Sequence, residues 1–296
     1  MTAVRAIPAD NHLLHQSPNW VDLYAVDATA ARAFYASLFG WRFQNRFSLN
    51  PVAGSDTTQP IEEARATHLV LCCGRPSAEI IERNELFADM VLPSRWYPHI
   101  HVVDMSATLR RVQAAGGSVI RSPQCRGSLA TVATVIDPVG AMLCLWQPMD
   151  LAGNPLSYTS GSLSWIELRT PDLDQTRWFY QRVFEWRPTA EPPTISKATE
   201  PNSHLAFWNE LGPVAGAVLS GQDGIASWYP SFAVNDLAAA TDTARRLGAL
   251  AVGAPYDLPI GRQCAVIDPE GAEFSLLGPR WTTRSRRSGG AAGERI

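Results

Sequence analysis

The sequence predicts an α+β fold made of a tandem duplicated domain. The segment Trp20–Leu23 returns as Trp165–Leu168, and Asp137–Ala141 returns as Asp268–Ala272, in the same order. The repeat is too long for a solenoid unit, so it indicates two copies of one domain. Within each copy, short apolar strands alternate with segments of helical spacing that open at an aspartate.

Each copy opens with a strand that ends at a capping residue. Val21–Val26 and Ile166–Thr170 are short and apolar, and Asp27 and Asp172 follow them at N-cap positions. Apolar residues then recur at helical spacing, at Ala30, Phe34 and Leu38 in the first copy and at Thr176, Phe179, Tyr180 and Val183 in the second.

The same unit returns halfway through each copy, so each copy contains two strand–helix–strands units. Asp104 and Asp236 are the second caps, and the glycines Gly116 and Gly248 end the second helices. The predicted elements are strands His99–Val103 and Ser231–Val234, helices Thr108–Ala115 and Ala239–Leu247, strands Ala130–Ile136 and Ala141–Trp146, and strands Gln263–Ile267 and Ala272–Leu277.

The first copy carries an insertion. The offset between equivalent positions falls from 145 at Asp27 to 132 at Asp104, which leaves 13 extra residues in the first copy. The turn-forming residues of Asn45–Thr67 indicate that most of the surplus is a loop. Such a loop is either a functional lid or simply mobile.

The predicted organisation has five parts: an N-terminal extension (1–18), a first domain (19–150), a linker (151–161), a second domain (162–280) and a disordered basic tail (281–296). The chain is 46% apolar, with a net charge of −3, so nothing indicates a nucleic-acid or membrane partner. Five cysteines without a spaced framework predict free thiols in the cytoplasm. We expect a monomer or homodimer whose partner is a small molecule.

The motifs resemble those of a known superfamily. The cap-helix pattern from Asp172 to Trp186, and Gly261-Arg262 leading to Asp268–Ala272, are similar to the vicinal oxygen chelate superfamily. That group includes glyoxalase I, extradiol dioxygenases and bleomycin- or fosfomycin-resistance proteins. The resemblance covers Asn19–Gln147 and Ser164–Pro279. It implies two βαβββ units in each copy, whose mixed sheet curls into a cup around a ligand: the first cup and the second cup.

The resemblance also implies where a metal would bind. Metal-dependent members place His, Gln or Glu seven residues before each capping aspartate and in the final strand of each unit. The first-strand positions here are Trp20, Tyr97, Trp165 and Tyr229, and the final-strand positions of the two copies are Cys144 and Ser275. These are poor ligands for a divalent ion, and Glu79, near another ligand position, is a single carboxylate. We therefore expect no metal and no cofactor.

Residues two apart on a strand share a face, and this spacing predicts which side chains line each cup. For the first cup they are Trp20, Asp22, Tyr24, Tyr97, His99, His101, Met142, Cys144 and Trp146, with Trp96 added to the ligand-binding set. For the second cup they are Trp165, Glu167, Arg169, Tyr229, Ser231, Ala233, Glu273, Ser275 and Leu277. The tryptophans have core packing as an alternative, and Glu167 and Arg169 are expected to form an ion pair.

A histidine pair is the sharpest chemical signal. The second copy has Ser231 and Ala233 where the first has His99 and His101, so the fold does not require histidine there. Two imidazoles on one face of a strand are about 6.5–7 Å apart, which suits an acid and a base acting on one ligand. Asp22, in the same cup, could orient one ring. The alternative is one core histidine and one rim histidine.

Three functions remain open on this reading. The first is a metal-independent enzyme that carries out an acid–base isomerisation, cyclisation or lyase-type step on an aromatic or polycyclic carbonyl metabolite, as in natural-product biosynthesis. Its catalytic residues are His99, His101 and Asp22. The second is a sequestering drug-resistance protein of the bleomycin-resistance type. The third is a metal-dependent lyase or dioxygenase with a shifted site at the same three residues.

Overall fold

The computed structural model describes residues 16–48, 65–83, 94–190, 204–210, 212–219, 226–258 and 260–279. Nearly all of the predicted N-terminal extension and all of the predicted basic tail lie outside these residues.

Each copy forms its own mixed sheet, which confirms the duplicated α+β fold. The first sheet has the strand order β2-β3-β4-β1-β5-β8-β7-β6 and the second β10-β11-β12-β9-β13-β17-β16-β14, with β15 paired to β16. The first-copy strands are β1 Pro18–Ala25, β2 Arg42–Ser48, β3 Arg65–Cys72, β4 Arg75–Glu82, β5 Arg95–His101, β6 Ser118–Arg126, β7 Ala130–Ile136 and β8 Met142–Pro148. The second-copy strands are β9 Leu163–Thr170, β10 Arg187–Ala190, β11 His204–Asn209, β12 Gly212–Leu219, β13 Ser227–Ala233, β14 Ala251–Val252, β15 Tyr256–Leu258, β16 Gly261–Ile267 and β17 Glu273–Gly278.

Four helices lie in the described part of the chain, and each begins after a predicted aspartate cap. They are α1 Ala28–Phe39, α2 Met105–Ala114, α3 Leu173–Phe184 and α4 Leu237–Arg246. The Asp27 carboxylate accepts hydrogen bonds from the backbone of Thr29 and Ala30, and Asp172 does the same for α3. None of these helices is long and apolar enough to cross a membrane.

The predicted loop Asn45–Thr67 is shorter than expected. Its first residues belong to β2 and its last to β3, which pair antiparallel from Arg42↔Leu71 to Ser48↔Arg65. Ladder hydrogen bonds override the local turn signals at both ends. Residues 49–64 lie outside the described part, so the predicted lid concerns only those residues.

One face of the first sheet packs against the helices, and the opposite face carries the residues expected to line the first cup. On β1, Val21, Leu23 and Ala25 face the helices and belong to the main apolar core. The alternate residue Trp20 lies on the opposite face, in a separate small cluster that includes Trp146. The predicted alternation along β1 is therefore confirmed, and the β1 side chains expected in the first cup lie away from the helices.

The helix faces of both sheets share one apolar core. Tyr35 of α1 donates a hydrogen bond from its hydroxyl to Asp268 of the second copy, at 2.8 Å, and Tyr180 of α3 donates to Asp137 of the first, at 2.9 Å. Tyr35 also accepts a hydrogen bond from Trp96, and Tyr180 accepts one from Trp228. These bonds repeat the duplication and join the copies, so the cups lie on the far sides of a common core.

We predict that Tyr35→Phe and Tyr180→Phe each lower the free energy of unfolding by about 1–3 kcal/mol, because each removes the hydrogen bond to the Oδ2 atom of a buried aspartate. Chemical denaturation followed by tryptophan fluorescence measures the loss. Tyr158→Phe, at a side chain that is 63% exposed, is the control. Losses no larger than that of the control would show that these bonds contribute nothing to stability.

Candidate functional site

The Asp22 carboxylate is the centre of the first cup. It is 1% exposed. Its Oδ1 accepts a hydrogen bond from the Trp20 indole at 2.9 Å, and its Oδ2 accepts one from His99 Nε2 at 2.9 Å and one from Arg126 at 2.8 Å. Burial raises the pKa of this carboxyl, but the charges of Arg126 and His99 outweigh burial and hold the pKa well below its usual range. Asp22 is therefore a fixed anion at neutral pH.

Arg126 and Glu79 complete a buried charged group, here called the quartet, with Asp22 and His99. Glu79 lies on β4 directly opposite Asp22. The Arg126 Nη1 atom contacts Asp22 and also lies 3.2 Å from a Glu79 carboxylate oxygen. Arg126 ends β6 at the far edge of the sheet, so these contacts require the sheet to curl until its edge strand faces β1 and β4.

His99 is a charged acid in this site. It is fully buried between β1 and β8, opposite Trp20 and Cys144. Burial lowers the pKa of the ring, but the Asp22 carboxylate, with a smaller effect from the Cys144 thiol, outweighs this and raises the pKa to about 9. The ring nitrogen Nδ1 is buried, and the Cys144 thiol of the neighbouring β8 is the other side chain that acts on the ring. A protonated imidazole has a second N–H here that it can donate.

His101 lies away from the quartet. It is fully buried next to Trp146 in the register of β5 and β8. Trp146 stacks on Trp20 with ring centroids 5.4 Å apart, and both tryptophans are fully buried with Leu151. These residues fill one end of the cup. Trp20 and Trp146 therefore take the core-packing alternative, and the ring that Asp22 orients is that of His99.

The partly exposed side chains lie at the other end of the cup. Tyr24, Tyr97 and Met142 are all partly exposed, and the two tyrosine rings meet edge to face at 5.5 Å. Burial, assisted by the Asp22 charge, raises the pKa of Tyr24 to about 12, so its hydroxyl keeps its proton. Of the predicted ligand-binding residues, Trp20 bonds to the quartet directly through Asp22, and these three and Cys144 lie on the same face of the sheet as the quartet.

Trp96 does not line the cup. Its side chain leaves β5 on the face opposite Tyr97, is 1% exposed and packs edge to face against Phe232 of the second copy. The indole nitrogen donates to the Tyr35 hydroxyl. The prediction for Trp96 was wrong because neighbouring residues of a strand point to opposite faces.

The second cup has a neutral hydrogen-bonding network at the position where the first cup has His99. Gln263 donates to Ser275 at 3.0 Å and to Tyr256 at 2.9 Å, and Ser231 donates to the Gln263 carbonyl oxygen at 3.4 Å. Burial is the main cause that raises the pKa of Tyr256. The counterpart of His99, Ser231, thus belongs to an uncharged network.

In the second cup, the Arg169 guanidinium forms a direct ion pair with Glu273. Its guanidinium bonds to Glu273 at 2.9 Å and lies over the Tyr229 ring at 4.0 Å. Glu167 is near enough to raise the pKa of Arg169, with a smaller effect than Tyr229 and Glu273. The direct ion pair of Arg169 is with Glu273, and it joins strands that both flank β13.

A glycine explains why the second cup has no quartet. Gly216 pairs with Glu167 as Glu79 pairs with Asp22, so it stands in the place of Glu79. A Cβ atom at Gly216 would lie 3.2 Å from the Trp165 ring, which is tighter than ordinary contact. Trp165 therefore occupies the space that a carboxylate fills in the first cup.

Sequence reasoning missed Arg126 and set Glu79 aside. Arg126 lies 104 positions from Asp22 and ends a strand with no clear apolar alternation. Glu79 was considered only as a metal ligand. The available signal was the duplication, because the second copy has no charged residue in either place: Gly216 replaces Glu79, and Leu258 occupies the register position of Arg126.

The residues of the first cup do not fit a divalent cation. Trp20 and Tyr97 replace ligands, and the two carboxylates in the cup are already bound to the Arg126 guanidinium. A fixed positive charge at that distance repels a metal ion. In the described ranges there is also no cluster of three or more His, Cys, Asp or Glu side chains able to hold a metal. The Arg126 guanidinium lies on Asp22, which is also a residue of the expected shifted site at His99, His101 and Asp22.

Comparison with known proteins shows the family. The model of the Glyoxalase/Bleomycin resistance protein/Dioxygenase superfamily matches residues 17–145 and 162–276, and the chain belongs to this superfamily. The anthracycline biosynthesis protein DauV of Streptomyces sp. (strain C5) is 31% identical over 269 residues, covering 88% of this chain and 92% of DauV. The putative glyoxylase CFP32 of Mycobacterium tuberculosis (strain CDC 1551 / Oshkosh) is 29% identical over 275 residues, covering 92% and 98%.

Solved structures agree on the fold. The 2,3-dioxygenase LapB from Pseudomonas sp. KL28 superposes with a TM-score of 0.59 at 13% identity, covering 90% of this chain and 94% of LapB. At this identity the likeness establishes architecture alone, because one fold hosts many chemistries.

We predict that folding stability depends on the charge of His99. The ring's pKa is raised to about 9 in the folded protein, so its contribution is complete below about pH 6.5 and is lost as pH rises through 9. Between pH 6.5 and 8.5 the wild type should lose about 1–3 kcal/mol more stability than His99→Gln, measured by denaturant titration. Parallel pH profiles of the two proteins would contradict a charged His99.

We also predict that the protein holds no stoichiometric transition metal, because a guanidinium neutralises the carboxylates of the first cup. Elemental analysis of protein purified without chelator should give far less than one metal per chain. Near-equimolar metal that is lost together with activity on chelation would restore the metal-dependent alternative.

Proposed function

We propose that the protein is a metal-independent enzyme that carries out an acid-assisted step on an aromatic or polycyclic carbonyl compound in the first cup. The observation that carries this is the 2.9 Å contact of the buried His99 ring with Asp22, whose charge raises the pKa of the imidazole to about 9. An acid of this kind polarises a carbonyl oxygen and stabilises the negative charge that develops there.

In this proposal Asp22 and His99 have different roles. Asp22 accepts three hydrogen bonds and its pKa is lowered, so it orients His99 and maintains its charge rather than removing a proton. His99 is the acid. Such catalysis contributes about 10²–10⁴-fold, which suits an isomerisation, a cyclisation or a lyase-type step on an activated carbonyl compound.

The open end of the cup supports an aromatic ligand. Tyr24 and Tyr97 offer ring surface that is partly exposed, and Met142 offers an adaptable apolar contact. The name of the relative DauV refers to anthracycline biosynthesis, which supports a natural-product metabolite as ligand. A cytoplasmic monomer or homodimer with only a small-molecule partner stays a prediction.

A sequestering protein is the second candidate. The complete burial of His99 and the aromatic lining favour it, since a binding protein needs surface and shape but no reachable acid. Native mass spectrometry against extracts of the source organism separates the two, because an enzyme releases its ligand chemically changed and a sequestering protein releases it unchanged.

We predict that His99→Ser lowers turnover of the ligand so identified by about 10²-fold or more and changes its affinity by less than about tenfold, since the acid acts mainly in the transition state. Serine is the residue of the second cup at this position, so the fold accepts it. Steady-state kinetics measure the loss of turnover, and direct binding measurements give the change in affinity.

The matched control is Ser231→Ala, which removes the hydroxyl at the same position of the second cup and should leave turnover within about twofold. Unchanged turnover in His99→Ser with a large loss in Ser231→Ala would move the site to the second cup. Release of unchanged ligand by the wild type would establish sequestration instead.

A further inference from the structure

Arg126 has donors that the quartet does not use. A guanidinium carries five N–H donors, and both carboxylate contacts are made by Nη1. The Arg126 side chain is 20% exposed, in contrast to Asp22 and Glu79, which are 1% and 5% exposed. Arg126 is therefore the member of the quartet that a ligand can reach first.

The two carboxylates require a cation at this position. Uncompensated buried anions are costly, and the Arg126 guanidinium bridges the two strands that carry Asp22 and Glu79. Burial alone lowers the pKa of Arg126, but Asp22 and then Glu79 outweigh it and raise the pKa further, so the charge is permanent. The cation of the first cup is thus part of the chain.

We propose that Arg126 is the resident cation of the first cup and the residue that binds the carbonyl oxygen of a neutral ligand. This inference rests on the proposed function for the location of the site in the first cup, and it does not require that the protein converts its ligand. It adds a second cation to the site of the acid His99, since guanidinium and imidazolium are both held by one carboxylate oxygen, Asp22 Oδ2.

The charge balance of the quartet selects the ligand class. Two acidic and two basic groups face each other, so the cup offers strong donors without a net positive charge. A neutral ketone or quinone oxygen gains a charge-assisted hydrogen bond, whereas a carboxylate ligand also meets the charges of Asp22 and Glu79. We therefore expect ketones to bind better than carboxylates of the same shape.

The second copy supplies a natural comparison for Arg126. Arg126 pairs with Ala130 at the start of β7, and Leu258 pairs with Gly261 at the start of β16. Leucine therefore fits the same backbone position, and Arg126→Leu gives the first cup the residue of the second. Arg169→Leu removes a guanidinium from the second cup and is the matched control.

The ligand test compares three naphthalenes by isothermal titration calorimetry: 2-acetonaphthone, 2-ethylnaphthalene and 2-naphthoate. A hydrogen bond to a charged donor is worth about tenfold or more in affinity, so the wild type should bind the ketone at least about tenfold more tightly than either analogue. Arg126→Leu should reduce this preference to less than about threefold, and Arg169→Leu should retain it.

A second test asks whether the guanidinium stands in for a metal. Arg126→Ala removes the cation from two buried carboxylates, so this variant should bind Mn²⁺ at least about tenfold more tightly than the wild type in electron paramagnetic resonance titrations. Glu79→Gln in the same variant should abolish the gain. Arg126→Lys keeps a point charge and should exclude Mn²⁺ as the wild type does.

Several results would overturn the proposal. The first is a ketone preference in Arg126→Leu that equals that of the wild type. The second is a wild type that shows no ketone preference or no measurable ketone binding. The third is an equal Mn²⁺ affinity of the wild type and Arg126→Ala. Circular dichroism confirms folding before each titration, and where Arg126→Leu fails to fold, the ketone test uses Arg126→Leu combined with Glu79→Gln, which leaves one buried carboxylate fewer without a cation. Both tests measure affinities and neither measures turnover. Their outcomes can therefore be interpreted even if the protein proves not to be an enzyme.

Discussion

Burial of the Asp22 carboxylate is the constraint on which the first cup depends. A carboxylate that is 1% exposed is stable only if charge and hydrogen bonds replace water, and here an indole, an imidazolium and a guanidinium do so. Each donor comes from a different part of the sheet. Satisfying one anion therefore fixes the stacking of Trp20, the charge of His99 and the curl that brings Arg126 across the cup.

The duplication shows how one architecture accommodates two different interiors. Where the first cup has Glu79, the second has Gly216 and fills the space with the Trp165 ring. Where the first has His99, the second has Ser231 in a neutral network with Gln263. The shared core is unaffected, because all of these side chains lie on the faces turned away from it.

That shared core also explains why the copies differ so freely inside the cups. The bonds Tyr35–Asp268 and Tyr180–Asp137 tie each helix to the turn of the opposite copy. Their aspartates belong to the Asp-Pro-x-Gly motif, which repeats almost unchanged in the sequence. The docking of the two copies uses these positions, and the residues that line the cups take no part in these bonds.

The sequence by itself determined the duplication, the helix caps and the face on which each strand residue lies, because these follow from local repeats and from the two-residue period of a strand. It named Asp22 and His99 but could not separate His99 from His101, which share a face. Only the tertiary structure decided that Arg126 joins Asp22, that Arg169 bonds to Glu273 and that Trp20 and Trp146 close one end of the cup. Those contacts depend on how far the sheet curls, and the curl is set by packing between residues that are distant in the chain.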